Sequence, residues 1–167
     1  MKVRIFSREA MKKLLKEGLP ENTAVISFYD PPSKRTPEDY EPIDYSGKCD
    51  RFFMVGIHDI DISSLKNYGF TYETYFPEAD DLAKFIKKAK EDGLDIICQC
   101  EYGQSRSAGC AAAILEYYNR SGIKVFSNYK YYPNQVIFNK VYDALKSPIE
   151  KMLKKYGYPY LSIDHLK

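Results

Sequence analysis

Residues 95–122 constrain the fold more than any other part of the sequence, because they run from an apolar segment through a short bend into an alanine-rich one. The segment DIICQ (95–99) is apolar without alternation, as in a parallel strand covered on both faces. After a bend of five residues, SRSAGCAAAILEYYNRSG (105–122) has the composition of a helix that ends at Gly122. A strand that passes so quickly into a helix is typical of a sheet with helices packed on it, so the segment predicts an α/β fold.

The remaining segments fit the same alternation of strands and helices. Further strands are predicted at 2–6, 23–29 and 51–57, and further helices at 8–18, 77–93, 133–145 and 147–157. Residues 30–50 contain four prolines and are predicted to be a loop, and residues 58–76 to be irregular or a broken helical turn. We therefore expect one domain, residues 1–167, with three α/β/α layers and a mostly parallel central sheet.

The overall composition excludes several classes of protein. Of 167 residues, 44% are hydrophobic and 29% charged, so a folded globular chain is expected. The formal net charge of +2 argues against a nucleic-acid partner, which usually requires a clearly basic face. The start, MKVRIFSREAMKK, lacks the apolar run of a signal peptide, and no stretch is long enough to span a bilayer. We predict a cytoplasmic protein without a membrane partner, and we make no prediction of its oligomeric state.

The cysteines are expected to be reduced thiols, because a cytoplasmic chain seldom keeps disulfides. There are four of them, Cys49, Cys98, Cys100 and Cys110. Cys98 and Cys100 are spaced as C-x-C, but the two histidines of the chain show no zinc-ligand spacing. We therefore predict no metal and no cofactor, which leaves a reactive cysteine as the more attractive hypothesis.

The bend between strand and helix holds Cys100 and Arg106, separated by five residues. A helix that begins near Ser105 directs free backbone N–H groups and its positive dipole end into this bend, where they favour an anion. Gly103 permits the backbone angles that a nest of amides around a tetrahedral oxyanion requires. The same nest would stabilise a thiolate, and an arginine offers a planar pair of donors for two phosphate oxygens. This combination points to phosphoryl transfer through a cysteinyl-phosphate intermediate.

The residues CEYGQSRS (100–107) fit the pattern C-x5-R-[ST] and resemble the phosphate-binding loop of the cysteine-dependent protein tyrosine phosphatases, particularly the dual-specificity branch. The segments AVISFYDPP, IHDID and YYPNQVIF and the helix at 78–92 resemble further landmarks of compact bacterial and phage-type members. The resemblance covers about residues 23–145. It implies a phosphatase-like fold and metal-independent hydrolysis of a phosphorylated protein or a small phosphomonoester.

The resemblance also implies roles for individual residues. Cys100 corresponds to the nucleophile, Arg106 to the phosphate-binding arginine, and Ser107 to the hydroxyl that helps the thiolate leave. The residues between them would line the phosphate cradle: Glu101, Tyr102, Gly103, Gln104 and Ser105. Family members usually have histidine before the cysteine, whereas this chain has Gln99, which can hydrogen-bond to the surrounding backbone but carries no positive charge. We therefore expect weaker stabilisation of the thiolate.

A general acid is needed to protonate the leaving oxygen. The loop after the strand at 51–57 is the expected source, because it also leaves the carboxyl edge of the sheet. By resemblance Asp59 is the preferred acid, with Asp61 as the alternative and Asp44 as the next position to test. Both Asp59 and Asp61 could instead be turn or cap residues.

Tyrosines near the predicted site are candidates for the walls of a phosphotyrosine pocket. Tyr40 and Tyr45 lie in the 30–50 loop, and Tyr102 lies in the cradle itself. For each of them the simpler interpretation is a place on the rim or in the core.

Two other functions remain open at this stage. Rhodanese-like sulfurtransferases also place a cysteine loop after a strand, although their loop is commonly one residue shorter and Ser107 fits a phosphatase better. A catalytically weak phospho-binding module is the second alternative, which Gln99 favours and the retained thiol and aspartate oppose.

Overall fold

The computed structural model describes residues 1–34 and 36–146. The strands are β1 (Val3–Ser7), β2 (Thr23–Tyr29), β3 (Phe52–Gly56) and β4 (Asp95–Cys100). The α-helices are α1 (Arg8–Glu17), α2 (Ala79–Glu91), α3 (Arg106–Asn119), α4 (Ile123–Phe126) and α5 (Gln135–Leu145), and a 3₁₀ helix covers Ile62–Tyr68. The helix predicted at 147–157 lies outside the described residues. Within the described ranges, no helix combines the length and the apolar character that crossing a bilayer requires.

The four strands form one sheet in the order β1-β4-β2-β3, and all neighbouring strands are parallel. β4 lies between β1 and β2, so that Cys100 is in register with Ser7 and Gln99 with Ser27. Its central position explains why the segment DIICQ is apolar without alternation. Since parallel strands end at the same edge, the residues that follow β2, β3 and β4 come together there, which is where open α/β sheets bind ligands.

Helices cover one face of the sheet, and a helix together with a loop covers the other. The first face packs against α2, α3 and α5, with Phe28, Phe76, Leu82, Ile86, Ile114 and Ile137 fully buried. The second face packs against α1 through Met11 and against the 30–50 loop through Ile43 and Tyr45. The predicted three-layer α/β/α architecture with a parallel sheet is confirmed. A loop replaces the usual crossover helix between β2 and β3.

The helices follow the predicted patterns, while the end of α3 differs from the prediction. Ser7 caps α1 by accepting a hydrogen bond from the N–H of Ala10 at 3.1 Å. α3 ends at Asn119, because Arg120 takes the left-handed conformation (φ 52°). The predicted end at Gly122 is therefore wrong. Near its start α3 lies very close to the segment before α5: a Cβ on Gly109 would be 2.5 Å from the Asn134 carbonyl oxygen.

Candidate active site

The predicted cradle is the loop that joins β4 to α3, with Cys100 as the last residue of the strand and Arg106 as the first of the helix. Gly103 has φ +67°, and a Cβ at this position would lie 2.6 Å from the Ser7 nitrogen. Both the backbone angle and the close approach to the end of β1 therefore require glycine. Gly103 is buried, while Tyr102 and Gln104 on either side of it are exposed.

The backbone of this loop is arranged for an anion. Its carbonyl oxygens accept hydrogen bonds from neighbouring segments: Arg8 N–H to Glu101 (3.0 Å), Tyr132 N–H to Gln104 (2.9 Å) and Asn134 N–H to Ser105 (3.1 Å). Within residues 1–34 and 36–146, no backbone N–H of residues 101–105 donates to another protein group. Because these three carbonyls are bound by neighbouring segments and α3 begins directly after the loop, the amides are free to bind a tetrahedral oxyanion.

Cys100 and Ser107, at the two ends of the loop, contact each other through their side chains. Cys100 is only 2% exposed, and its Sγ lies 3.0 Å from Oγ of Ser107, which is fully buried in the first turn of α3. At this distance the serine hydroxyl can donate to a thiolate. The other cysteine of β4, Cys98, is completely buried, and burial raises the pKa of its thiol well above the usual range.

Arg106 is held by the ends of two neighbouring strands. Its two terminal nitrogens donate to the carboxylate of Asp30 at 2.8 and 3.2 Å, and Nη1 also donates to the Ile57 carbonyl at 2.7 Å. Burial opposes the charge on this guanidinium, but the hydrogen bonds and charge of Asp30 outweigh it and raise the pKa further. The residue is 3% exposed, and among the described residues its Nε has no hydrogen-bond partner. One charged donor therefore stays available beside the loop.

Asp59 lies next to the cradle. Its Oδ1 accepts hydrogen bonds from Ser105 Oγ at 2.7 Å and from Asn134 Nδ2 at 2.9 Å, and its Oδ2 is 3.9 Å from Arg106 Nε. The alternative acid, Asp61, is exposed and precedes the 3₁₀ helix as its N-cap residue. Asp44 is exposed and accepts the N–H of Ser46 at 2.9 Å. Of the three candidate acids, Asp59 is the one that contacts the loop.

Asn134, from the segment YYPNQ, connects Asp59 to α5. It is 2% exposed; its Oδ1 caps α5 by accepting the N–H of Ile137 at 3.0 Å, and its Nδ2 donates to Asp59 and to the Ile60 carbonyl. An asparagine before a helix is a recognisable cap signal. The contact of its amide with Asp59, 75 residues away in the chain, could not be predicted from the sequence.

Gln99 and Tyr45 lie on the opposite face of the sheet from Cys100. Gln99 Oε1 accepts hydrogen bonds from Ser27 Oγ at 2.5 Å and Tyr45 OH at 3.2 Å, so its carbonyl contacts side chains rather than the expected backbone. Tyr45 is 1% exposed, and its burial raises the pKa of its hydroxyl to about 12. The interpretation of Tyr45 as a wall of the binding pocket is therefore wrong, because the loop folds beneath the sheet at this point.

A cavity of about 510 Å³ opens in front of Arg106 and Asp59. Its lining includes Tyr40 and Tyr102, two of the three tyrosines predicted as candidate walls. Tyr68 from the 3₁₀ helix also lines it, although no role was predicted for this residue. Tyr102 is 78% exposed and belongs to the rim. Aromatic side chains thus border a space that the charged side chains of Asp30, Asp59 and Arg106 also line.

No family model and no curated protein matches the sequence, whereas solved structures match the fold. The structure of PTPMT1 in complex with PI(5)P is 12% identical, with 93% of this chain and 94% of that one covered and a TM-score of 0.51. A leucine-rich-repeat and phosphatase-domain protein from Entamoeba histolytica is 13% identical (92% and 89% covered, TM-score 0.45). A mutant form of Tk-PTP is also 13% identical (94% and 89% covered, TM-score 0.44).

The parallel sheet and the helices packed on it give this chain an overall fold similar to that of PTPMT1. The phosphatase-like fold predicted from the sequence is thereby confirmed. At 12% identity this likeness concerns the fold, and the activity has to be argued from the residues of this chain.

Proposed function

We propose that the protein is a metal-independent phosphomonoester hydrolase, of the protein tyrosine or dual-specificity type, that uses Cys100 as its nucleophile. The observation that carries this proposal is the Nε of buried Arg106, which among the described residues has no hydrogen-bond partner and only the Asp59 carboxylate at 3.9 Å; it lies beside a loop whose amides are free and whose cysteine contacts Ser107. A buried charged donor that makes no hydrogen bond is costly in the free protein, so it favours an anionic ligand at this place.

In the first step, the Cys100 thiolate attacks the phosphorus atom, an S–P bond forms and the bond to the leaving oxygen breaks. Arg106 Nε and the amides of residues 101–105 bind the equatorial oxygens, whose charge they stabilise in the transition state. Asp59 gives its proton to the departing oxygen, and Oδ2 is the oxygen suited to carry that proton, because Oδ1 already accepts two hydrogen bonds.

In the second step, water attacks the cysteinyl phosphate and Cys100 leaves as a thiolate. Asp59, now a carboxylate, takes the proton of the water as it attacks. Ser107 donates its hydroxyl proton in a hydrogen bond to the sulfur, for which the distance of 3.0 Å is suitable. Inorganic phosphate then leaves the loop, and the free enzyme is restored with Asp59 protonated.

The cavity favours an aromatic phosphomonoester. Tyr40, Tyr68 and Tyr102 border it and can pack against the ring of a phosphotyrosine on a protein or of a small aryl phosphate. The cradle positions 101, 102 and 104 hold no basic side chain, so extra phosphate groups on a substrate find no additional cation within the loop.

The test is hydrolysis of p-nitrophenyl phosphate with a chelator present, together with inhibition by vanadate. Cys100→Ser should abolish turnover but still bind inorganic phosphate in calorimetry, because the amides and Arg106 remain. Cys49→Ser is the matched control, since Cys49 is also buried but belongs to the core cluster on the other face of the sheet.

Three results would contradict the proposal. Substantial hydrolysis by Cys100→Ser would exclude Cys100 as the nucleophile. Sulfur transfer from thiosulfate without phosphate release would identify a sulfurtransferase, and phosphate binding without any turnover by the wild-type chain would identify a binding module.

A further inference from the structure

The cradle contains an acidic side chain that works against its proposed ligand. Glu101 follows Cys100 directly, and within the described part of the chain its buried Oε2 has no hydrogen-bond partner. A carboxylate in a loop that binds a phosphate dianion lowers the affinity by repulsion unless its charge is offset. The group that offsets it should therefore influence how well the loop binds anions.

Arg8 is the cation nearest to this carboxylate among the recorded ion pairs. Its Nη1 lies 3.8 Å from Glu101 Oε2, and its backbone N–H donates to the Glu101 carbonyl at 3.0 Å. The arginine side chain is 16% exposed and the glutamate side chain 30% exposed, so solvent screens this pair less than a pair on the open surface. Arg8 thus contacts both the backbone and the charge of the first residue of the cradle.

Arg8 also contacts the wall of the cavity. Its guanidinium lies 4.5 Å from the ring centre of Tyr40, and Nη2 donates to the carbonyl of Glu41. The Tyr40 hydroxyl in turn accepts the N–H of Asp30 at 3.3 Å, and the Asp30 carboxylate holds Arg106. One arginine therefore connects the acidic residue of the cradle with the segment that carries the partner of the phosphate-binding arginine.

We propose that Arg8 is a positioning residue of the phosphate site, which offsets the charge of Glu101 and fixes Tyr40 in the cavity wall. The proposal rests on the proposed function, because it assumes that the loop binds a phosphate group. Arg8 acts through Glu101 and Tyr40 and does not itself contact the substrate. Removing Arg8 leaves the Glu101 charge uncompensated beside the ligand and should weaken phosphate binding. Removing the Glu101 charge as well should restore that binding.

The experiment measures the affinity for inorganic phosphate by calorimetry and by inhibition of p-nitrophenyl phosphate hydrolysis. Arg8→Gln should weaken phosphate binding by about three- to tenfold at low salt, the size expected for one partly screened charge. KM should rise with it, while kcat changes less, because the repulsion acts on ground state and transition state alike. Adding Glu101→Gln to Arg8→Gln should restore the phosphate affinity.

Lys13→Gln serves as the control, because it removes the same charge from an exposed position on the same helix. It should leave phosphate affinity within about twofold of wild type, as expected for a screened surface charge. Thermal unfolding of every variant shows whether the fold is retained. If Arg8→Gln is too unstable, Arg8→Lys replaces it: the charge is kept and the planar stacking on Tyr40 is lost, so that the affinity for inorganic phosphate should be retained while KM for p-nitrophenyl phosphate rises.

An unchanged phosphate affinity in Arg8→Gln would overturn the proposal, as would a loss that Glu101→Gln does not restore, since that pattern belongs to a purely structural role. If the wild-type chain binds phosphate but does not hydrolyse esters, the proposed function fails while the calorimetric comparison of Arg8 variants remains valid. The two failures are therefore distinguishable.

Discussion

Replacing Asp30 by asparagine should loosen Arg106 and lower both stability and activity. Asp30 accepts two hydrogen bonds from a guanidinium whose side chain is 4% exposed, and asparagine keeps one oxygen acceptor but no charge. A hydrogen bond to a charged group contributes about 1.5–3 kcal/mol. Because the Asp30 side chain is 28% exposed, water compensates part of the loss, and we expect a decrease of about 2 kcal/mol in the free energy of unfolding.

For a chain of this length, that decrease corresponds to a fall in Tm of about 4–8 °C. If the same free energy must be supplied to orient Arg106 for the transition state, kcat/KM falls by about thirtyfold, since 1.4 kcal/mol corresponds to a factor of ten. Calorimetric unfolding and p-nitrophenyl phosphate kinetics measure the two effects. Added phosphate should raise the Tm of the variant less than that of wild type, because Arg106 must first be oriented before it can bind the anion.

Asp39→Asn provides the comparison, since Asp39 is an exposed acid in the same loop. It removes the same charge and should change Tm by less than about 1 °C, as surface substitutions usually cost under 0.5 kcal/mol. The reasoning is refuted if Asp30→Asn behaves like Asp39→Asn in both measurements.

Two further predictions concern the acid and its support. Asp59→Asn should slow hydrolysis of phenyl phosphate at least about tenfold more than that of p-nitrophenyl phosphate, because a poor leaving group depends on proton transfer, whereas Asp61→Asn should affect both equally. If the two variants exchange these behaviours, Asp61 is the acid. Gly109→Ala should lower Tm, since a methyl group 2.5 Å from the Asn134 carbonyl costs about 1–3 kcal/mol and exceeds the helix-propensity gain of about 1 kcal/mol; a higher Tm would contradict this.

The sheet and the position of the loop could be predicted from the sequence because both depend on local patterns. An apolar segment, a glycine and an alanine-rich helix are sufficient to place Cys100 and Arg106 where a strand ends and a helix begins. Gly103 could be predicted as a conformational requirement, and its φ of +67° agrees with this. Asp59 could be assigned to the correct edge of the sheet because it follows a parallel strand.

The partners of these residues could not be predicted in the same way. Asp30 contacts Arg106 across 76 positions, and its only signal in the sequence is its place directly after β2, at the same edge of the sheet as Asp59. Tyr45 was misplaced because a proline-rich loop has no periodicity to show which of its residues turn beneath the sheet. Asn134 could be recognised as a helix cap, but the hydrogen bond from its amide to Asp59 depends on how α5 packs.

The attachment of Arg106 and Glu101 to separate strands has a consequence for the order of folding. Arg106 needs the end of β2 at Asp30 and the end of β3 at Ile57, while Glu101 needs the junction of β1 and α1 at Arg8. Each contact closes a long segment of chain, and long closures are slow and form late. Regain of the proposed activity during refolding should therefore report the completion of the whole sheet, and the opening of either edge strand should lower that activity before the protein unfolds as a whole.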